Sequence, residues 1–326
     1  MSESLRVHLF TLTPRSEASE HVYAGNLRTA LVDRDVEFVN DWRAADVVHC
    51  FEVNFYTRNA LVGLNHPTLV RILHSGTPVV VSTDDLYFTG DPTLTVQPRL
   101  YSLNHYTQRL LFAHVEGIVA ISDSVRENLL PHVDPSILHV VRHGVDDRYR
   151  VESVETREQF VLHVSLVSPR KNPKAVVETA RRLDVPVKIA GSGWDEHVPE
   201  TPAFDNVETL GYVPEDELID LYRRAAVFYF PSLHEGFGLP ILEAMAAGCA
   251  VVTSDVYAIP EVTGEAAVLC NPHDVDAHVE HITELSDGED QRQALASRAI
   301  RRAAEFTWEK MATETEHVYR EILDGD

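Results

Sequence analysis

The sequence predicts an α/β fold built from two Rossmann-like domains, each with its own parallel sheet. Short apolar runs alternate with longer helical patterns from one end of the chain to the other, which is typical of parallel α/β architecture. At 326 residues, the chain is also longer than a single hydrophobic core usually supports, so two domains are expected.

In the first half, apolar runs predict strands and the patterns between them predict helices. Strands are expected at 6–10, 36–39, 46–51, 78–82, 117–121 and 137–141. Helices are expected at 19–32, 99–115 and 124–130. Residues 146–159 are polar and lack a core pattern, which predicts a linker.

The alternation restarts after this tract. Strands are expected at 160–165, 187–190, 207–210, 227–230, 250–254 and 267–270, and helices at 172–183, 215–224 and 240–247. A final helix at 307–323 carries apolar residues at Met311, Val318 and Ile322 and is expected to return to the first domain. The predicted division is therefore a first domain at 1–148, a second at 149–305 and a C-terminal helix at 306–326.

The charge balance disfavours one class of function. The chain has 28 Lys and Arg against 51 Asp and Glu, a net charge of −23. Nucleic-acid binding relies on clustered cations that release counterions, so a nucleic-acid partner is not expected, and any phosphate must be bound locally. Only four residues are lysines, namely Lys171, Lys174, Lys188 and Lys310. This composition fits either adaptation to concentrated salt or a GC-rich genome with an acidic surface.

The cysteines and the N-terminus indicate a cytoplasmic protein. Cys50, Cys249 and Cys270 lie far apart in apolar runs, which predicts buried thiols in a reducing compartment. The N-terminus lacks a signal-peptide pattern, and no apolar stretch is long enough to span a bilayer. We expect no stable membrane insertion; the inner face of a membrane is the alternative location.

The most informative stretch is PSLHEGFGLP at 231–240. Gly236 and Gly238 flank Phe237 and allow backbone N–H groups to approach a ligand, while Pro240 suits the first turn of a helix. A helix N-terminus favours an anion such as a phosphate. Glu243 is expected in the first helical turn.

Glu235 and Glu243 are eight residues apart and flank this turn, so both could face one ligand. The segment resembles the Glu-x7-Glu signature of retaining glycosyltransferases of the GT-B fold, in glycosyltransferase family 4 (glycosyl transferases group 1). Further similar segments are VLHVSLVSPRKN at 161–172, IAGSGW at 189–194 and AIPEVTGEAAVL at 258–269. The resemblance covers almost the whole second domain and implies two Rossmann-like domains with parallel sheets facing a cleft.

The resemblance also implies roles for individual residues. Glu235 would hold hydroxyls of the donor sugar, and Arg170 and Lys171 would clamp the diphosphate; these three are the expected catalytic residues. Two adjacent cations also suit a leaving diphosphate on general grounds. Glu243 would bind the ribose. The full set expected to bind the donor is Glu243, Gly236, Phe237, Gly238, Leu239, Ser165, Gly191, His143, Gly144 and Asp84.

The first domain resembles the family less closely. Ala18 and Ser19 stand where two glycines are usual, and Asp84 stands where a histidine is usual, so it suits either a sugar contact or a turn. His143 replaces Asn in RHGVD, which resembles the family's Asn-Gly-Val-Asp hinge. Ser122 is a further candidate at a strand-to-helix turn.

Seventeen histidines invite a metal hypothesis. His273, His278 and His281 lie in an acidic stretch, with the last two on one helix face. There is no HExxH motif and no cysteine partner, so a solvated face is favoured. We predict no essential metal and no cofactor.

The predicted function is transfer of a hexose, mannose or glucose, from a nucleoside-diphosphate sugar to an acceptor hydroxyl, with retention of configuration, in glycan or glycoconjugate biosynthesis. The acceptor would be a glycan, a lipid-linked molecule or a small molecule. The Pro-Arg-Lys-Asn loop favours GDP-mannose or a related donor. The alternatives are a non-catalytic nucleotide-sugar-binding protein and, less favoured, an epimerase or phosphorylase. The sequence does not specify the oligomeric state.

Overall fold

The computed structural model describes residues 4–11, 19–32, 34–51, 56–57, 60–61, 67–84, 86–154, 156–198 and 202–325. The chain divides into two compact units. The first unit comprises Met1–Pro92, Gln97–Gly144 and Thr307–Asp326, and the second comprises Thr93–Val96 and Val145–Phe306. The main change of unit thus falls between Gly144 and Val145, slightly before the predicted boundary at 148.

The first unit is a parallel α/β sheet. Its elements, in chain order, are β1 (Leu5–Thr11), α1 (Ser19–Leu31), β2 (Val36–Phe38), β3 (Val47–Phe51), β4 (Tyr56–Thr57), β5 (Ala60–Leu61), α2 (Pro67–Leu73), β6 (Val79–Thr83), α3 (Tyr101–Phe112), β7 (Gly117–Ala120), α4 (Asp123–Leu129) and β8 (Leu138–Val140). The sheet order is β2-β1-β3-β6-β7-β8, and every pairing in it is parallel. β3, β6 and β7 are buried along their whole length, because helices cover both faces of a parallel sheet.

The second unit repeats this architecture. Its elements are β9 (Glu158–Val164), α5 (Pro173–Arg182), β10 (Val187–Ala190), β11 (Val207–Gly211), α6 (Glu215–Arg224), β12 (Ala225–Phe230), α7 (Leu239–Ala246), β13 (Ala250–Ser254), α8 (Ile259–Thr263), β14 (Val268–Cys270), α9 (Val275–Asp287) and α10 (Glu289–Ala303). The order is β11-β10-β9-β12-β13-β14, again parallel throughout. The direction of strand order reverses between β9 and β12, and open α/β sheets bind ligands outside the carboxyl ends of such strands.

The predicted strands of both halves are confirmed, and the predicted linker at 146–159 is wrong at both ends. Asp146 caps a 3-10 turn at Asp147–Tyr149, and its side chain accepts a hydrogen bond from the amide of Arg148. β9 already begins at Glu158, whose carboxylate lies 2.7 Å from the Arg224 guanidinium. The polar residues of this tract therefore cap a turn and begin a strand at the surface.

The last helix, α11 (Trp308–Asp324), belongs to the first unit, as predicted. Met311, Val318 and Tyr319 are buried in the same apolar cluster as residues of β1 and β3. The Tyr319 hydroxyl lies 2.6 Å from Nδ1 of the buried His49. The helix is thus held by apolar packing and by a polar contact inside the core.

The cysteines and the helices bear on two other expectations. All three cysteines are buried, as predicted, and burial raises the pKa of the Cys50 thiol to about 12. Among the described residues, no helix has the length and apolar character needed to cross a bilayer.

Candidate active site

The candidate site lies at the carboxyl ends of β9 and β12, the two strands between which the sheet order reverses. After β9, the chain runs into a 3-10 turn at Pro169–Lys171. After β12, it runs from Pro231 toward Glu235. The two loops are joined at the Arg170 carbonyl, which accepts a hydrogen bond from the amide of Leu233 at 2.7 Å and lies 2.8 Å from the hydroxyl oxygen of Ser232.

The three residues predicted to be catalytic are in direct contact. Glu235 is only 5% exposed. Its Oε1 lies 2.5 Å from Lys171 Nζ and 2.6 Å from the Ser232 hydroxyl, and its Oε2 lies 3.0 Å from Arg170 Nη1. Lys171 is buried as well, whereas the side chain of Arg170 is 33% exposed. Arg170 is thus the cation of this cluster that solvent reaches most easily.

The cluster is ionised at neutral pH. Burial alone would raise the pKa of Glu235, but the charges of Lys171 and Arg170 and the hydrogen bonds of Lys171 and Ser232 lower it to about 2. Burial and the neighbouring Arg170 lower the pKa of Lys171 to about 8, which still leaves the ammonium protonated at pH 7. Its Nζ also lies 4.5 Å from the centre of the Phe230 ring, a cation–π contact.

Asn172, for which no role was predicted, anchors the end of the loop that carries the two cations. It adopts the left-handed conformation, with φ of 54°, immediately before Pro173 begins α5. Its buried side-chain amide donates hydrogen bonds to the carbonyls of Pro231 at 3.1 Å and Pro272 at 2.7 Å. Asn-Pro is a known turn signal, so the local bend was predictable, but its partners lie far away in sequence.

Ser165, at the end of β9, is held by a buried histidine. His163 Nδ1 lies 2.9 Å from the Tyr229 carbonyl, which only accepts hydrogen bonds, so Nδ1 carries the proton. Burial lowers the pKa of His163 to about 4, so the ring is neutral and Nε2 accepts the Ser165 hydroxyl at 2.7 Å. Ser165 can therefore offer a ligand only lone pairs, which suits a sugar hydroxyl better than a phosphate oxygen.

Gly191 follows β10 and packs directly against Ser165. Its φ is +123°, and a Cβ at this position would lie 2.0 Å from the Ser165 carbonyl oxygen. Its amide donates to the Gly211 carbonyl at 2.7 Å. The structure thus brings Ser165 and Gly191 together, and only glycine fits this turn.

The glycine turn leads into α7 as expected. Gly236 precedes Phe237, whose buried ring packs edge-on against that of Phe306, with the two ring centres 5.8 Å apart. Gly238 has φ of +95° and caps the helix, which begins at Leu239. The amides of Gly238 and Leu239 donate no hydrogen bond to any residue that the structure describes. Unsatisfied amides at a helix start, with the positive end of the dipole, are suited to an anion.

Glu243 lies in the second turn of α7, and the prediction of the first turn is corrected because the helix begins one residue earlier. Its Oε2 accepts a hydrogen bond from the Tyr222 hydroxyl at 3.0 Å. Burial raises the pKa of Glu243 to about 7. The sequence carries no signal for the role of Tyr222, because a tyrosine on an amphipathic helix is typical of a core residue.

Two candidates in the first unit occupy turn and cap positions. Asp84 follows β6, and its Oδ1 accepts a hydrogen bond from the amide of Leu86 at 3.2 Å, which is the turn role considered above. Ser122 caps α4, and its hydroxyl accepts from the amide of Val125 at 3.1 Å.

The hinge-like segment of the first unit packs against the start of α11. The His143 ring lies 6.3 Å from that of Trp308, and burial lowers the pKa of His143 to about 4. A Cβ on Gly144 would lie 2.4 Å from the Trp308 amide nitrogen, so glycine lets these two backbones approach. Ala18 lies outside the described residues, and the described helix α1 begins at Ser19.

His278 corrects the prediction of a solvated histidine face. It is fully buried, and its Nδ1 lies 2.9 Å from the Tyr229 hydroxyl, because α9 turns this face toward the sheet. His281 is exposed and lies 3.2 Å from Glu284. Within the described part of the chain, no group of three His, Cys, Asp or Glu side chains is arranged to hold a metal ion.

The architecture of the chain is that of a known fold. Two parallel α/β units and a last helix that returns to the first unit form the GT-B fold of glycosyltransferases. Sucrose-phosphate synthase from Thermosynechococcus elongatus superposes with a TM-score of 0.76 at 14% identity, covering 99% of this chain and 100% of that one. Anabaena HepE in complex with UDP and glucose superposes with a TM-score of 0.70 at 16% identity, covering 96% and 98%. At these identities, the likeness shows the fold alone.

Sequence comparison identifies a family domain within the chain. Residues 145–302 match the model for Glycosyl transferases group 1, so the chain carries a domain of this family. O-antigen chain mannosyltransferase B of Escherichia coli is 35% identical over 173 residues, which are 49% of this chain and 45% of that protein. The MMP alpha-(1->4)-mannosyltransferase of Mycolicibacterium hassiacum is 31% identical over 232 residues, or 66% and 56%. The chain thus spans about half the length of these relatives.

Proposed function

We propose that this protein is a retaining hexosyltransferase of glycosyltransferase family 4, which moves a hexose from a nucleoside-diphosphate sugar to an acceptor hydroxyl. The observation that carries the proposal is the buried contact of Glu235 with both Lys171 and Arg170. It lies where the strand order of the second sheet reverses, in the same loop that leads into the glycine turn before α7.

The charges of the cluster suit departure of a diphosphate. Negative charge develops on the leaving phosphate as the bond to the sugar breaks, and preorganised cations stabilise it without reorganisation. Lys171 is already held in place by Glu235 and Phe230, and Arg170 is exposed enough to reach a ligand. The unsatisfied amides at the start of α7 supply further donors for the same group.

Glu235 is unsuited to act as a general base. A carboxylate whose pKa is held near 2 by two cations has little tendency to accept a proton at neutral pH. Its role is instead to accept hydrogen bonds from hydroxyls of the donor sugar. The acceptor proton would then pass to the leaving phosphate in a front-side attack, which retains configuration at the anomeric carbon.

The donor sugar is proposed to be mannose, carried by GDP, with glucose as the second choice. Two sequence relatives are named as mannosyltransferases, which supports this choice of sugar. Glu243 would bind the ribose through its carboxylate, and Ser165 a sugar hydroxyl. The acceptor is proposed to be a glycan or a lipid-linked or small molecule bound by the first unit.

The test is a donor panel with purified protein. GDP-mannose, UDP-glucose and UDP-galactose are each incubated with mannose, methyl α-mannoside and mannobiose, and products are identified by mass spectrometry. We expect a hexosylated product with GDP-mannose, and NMR of the new linkage should show the anomeric configuration of the donor. An inverted linkage would contradict the retaining mechanism.

Three variants test the assigned site. Glu235→Ala and Lys171→Ala should each reduce turnover by at least about a hundredfold, the usual cost of losing a transition-state contact. Lys174→Ala, an exposed lysine three residues further along, is the matched control and should retain wild-type turnover. Donor binding without turnover in the wild type would favour a non-catalytic nucleotide-sugar-binding protein.

A further inference from the structure

Glu243 belongs to a polar cluster that three segments of the second unit build around it. α7 supplies Glu243, α6 supplies Tyr222 and Glu215, and the 3-10 turn at Asp147–Tyr149 supplies Tyr149. Tyr222 is fully buried, and its ring packs edge-on against that of Tyr149, with the two ring centres 5.6 Å apart. The Tyr222 hydroxyl that contacts Glu243 therefore belongs to a side chain that its packing holds in place.

The hydrogen bond from Tyr222 uses one oxygen of the Glu243 carboxylate and leaves the other oxygen available to a ligand. The Tyr222 hydroxyl donates to Oε2 at 3.0 Å, and no described residue donates a hydrogen bond to Oε1. Burial and the charge of Glu243 raise the pKa of Tyr222 well above its usual value, so the phenol keeps its proton. Toward the ionised carboxylate the hydroxyl is therefore the donor, and such a bond is stronger to a carboxylate than to a carboxylic acid.

The surrounding charges act against ionisation of Glu243. Burial is the largest effect and raises its pKa, the bond from Tyr222 lowers it, and Glu215 and Asp146 raise it further. Arg148 limits this repulsion, because its guanidinium lies 2.8 Å from both the Glu215 and the Asp146 carboxylates. The balance leaves the Glu243 pKa at about 7, where a modest change decides whether the group is charged.

We propose that Tyr222 is a positioning residue for donor binding, which holds Glu243 ionised and oriented so that its carboxylate accepts the ribose hydroxyls of the nucleotide sugar. This inference rests on the proposed function, in which Glu243 is the ribose ligand. A carboxylate accepts two hydroxyls, whereas a carboxylic acid must spend one oxygen as a donor. Donor affinity should therefore depend on pH through Glu243 and should fall as the pH drops below about 7.

The experiment is calorimetric binding of GDP-mannose and UDP-glucose to the full chain between pH 5.5 and 9. Both probes are diphosphate diesters, so they do not themselves titrate near neutral pH. The wild type should lose affinity with a midpoint near the pKa of Glu243. Tyr222→Phe should move this midpoint upward, with about fivefold weaker binding at pH 7 for a movement of one unit, and should recover toward wild-type affinity at pH 9.

The matched control is Tyr229→Phe, another buried tyrosine of the same unit. Its hydroxyl contacts Thr179 and His278, not Glu243, so its loss should leave the midpoint unchanged. Glu243→Gln should remove the pH dependence altogether. Activity assays should show the Tyr222→Phe effect in the donor KM, with kcat preserved at pH 9.

Two results would overturn the inference. One is an unchanged midpoint in Tyr222→Phe, and the other is a loss of affinity that is equal at every pH, which is what a purely structural role produces. If Tyr222→Phe does not fold, Arg148→Ala replaces it, because releasing Asp146 and Glu215 should raise the same midpoint; no movement there overturns the inference. Absence of binding to the wild type at any pH would instead refute the proposed donor site itself.

Discussion

At the scale of single residues, the site depends on a buried carboxylate that two cations keep ionised. Taking Glu235 and Lys171 out of water is costly, and their contact at 2.5 Å, with further bonds from Arg170 and Ser232, offsets this cost. Such an arrangement is a poor way to stabilise a fold compared with apolar packing. Its presence at the end of two central strands agrees with the proposed role of these charges in binding the donor.

We predict that Lys171→Met destabilises the protein by about 3 kcal/mol, because it leaves a buried carboxylate with one cation fewer. The double variant Lys171→Met/Glu235→Gln should recover a large part of this loss, since the uncompensated charge is then absent. Urea denaturation of the two single variants and the double variant measures the coupling. Lys174→Met, at an exposed position, is the control; strictly additive effects of the two substitutions would contradict the pairing.

The two glutamates of the motif should affect stability with opposite pH dependence. The folded pKa of Glu235 is lowered to about 2, so its stabilising contribution is complete above the unfolded pKa and is lost as the pH falls through 2. The folded pKa of Glu243 is raised to about 7, so stability is greatest below the unfolded pKa and is lost as the pH rises through 7.

Glu243→Gln should therefore raise the melting temperature at pH 8, by about 2–4 °C for each kcal/mol regained. The gain should shrink toward pH 5, where Glu243 is protonated in the folded wild type. Calorimetric scans of both proteins across this range measure the difference. A melting-temperature difference that does not change with pH would show that ionisation of Glu243 is not the cause.

At the scale of elements, the turns after the strands determine which groups face the site. Gly191 ends β10 so close to β9 that any side chain would meet the Ser165 carbonyl, and Asn172 uses the left-handed conformation to bend the chain between the cations and α5. These turns are short and their backbone geometry is tightly constrained. A change of backbone there should move Ser165 and Lys171 directly.

We predict that Gly191→Ala is markedly more destabilising than Gly211→Ala. Both positions have positive φ, but a Cβ at 191 would lie 2.0 Å from a carbonyl oxygen, whereas nothing lies within 4 Å of one at 211. The strained backbone alone costs about 1–3 kcal/mol, and the clash adds to this at Gly191 only. Thermal denaturation of the two variants compares them, and equal losses would argue against the close approach.

Some helices could be predicted from local sequence patterns, and others could not. The pattern at 215–224 matches α6 residue for residue, because apolar residues recur at helical spacing between acidic and basic ends. α9 and α10 were not predicted as separate elements, since their long polar stretches lack a continuous apolar stripe. His278 was therefore predicted to lie on a solvated face. Only its contact with Tyr229 in the structure shows that this histidine of α9 is buried.

At the scale of the whole molecule, the net charge of −23 makes stability sensitive to salt. Like charges on the surface repel one another, and the screening length falls from about 10 Å at 0.1 M salt to about 3 Å at 1 M. The cations of the candidate site are already paired at short range, so they should be affected less than the surface.

We predict that the melting temperature rises steeply between 20 mM and 1 M KCl and more slowly above. Scanning calorimetry with KCl, and with sucrose at matched osmolality as the uncharged control, measures this. A protein adapted to concentrated salt should also lose activity on dilution into low salt and regain it when salt is restored. A melting temperature independent of salt would favour the genome-composition explanation of the acidic surface.

The sequence by itself determined the alternation of strands and helices, the return of the last helix and the position of the glycine turn after Glu235. These depend on periodicity and turn chemistry, which act over a few residues. Only the tertiary structure decided which charges meet. Glu235 and Lys171 are 64 positions apart, and the Tyr222 hydroxyl reaches Glu243 from another helix. The pKa of each glutamate depends on such distant neighbours, and this is why two similar residues of one motif differ in charge.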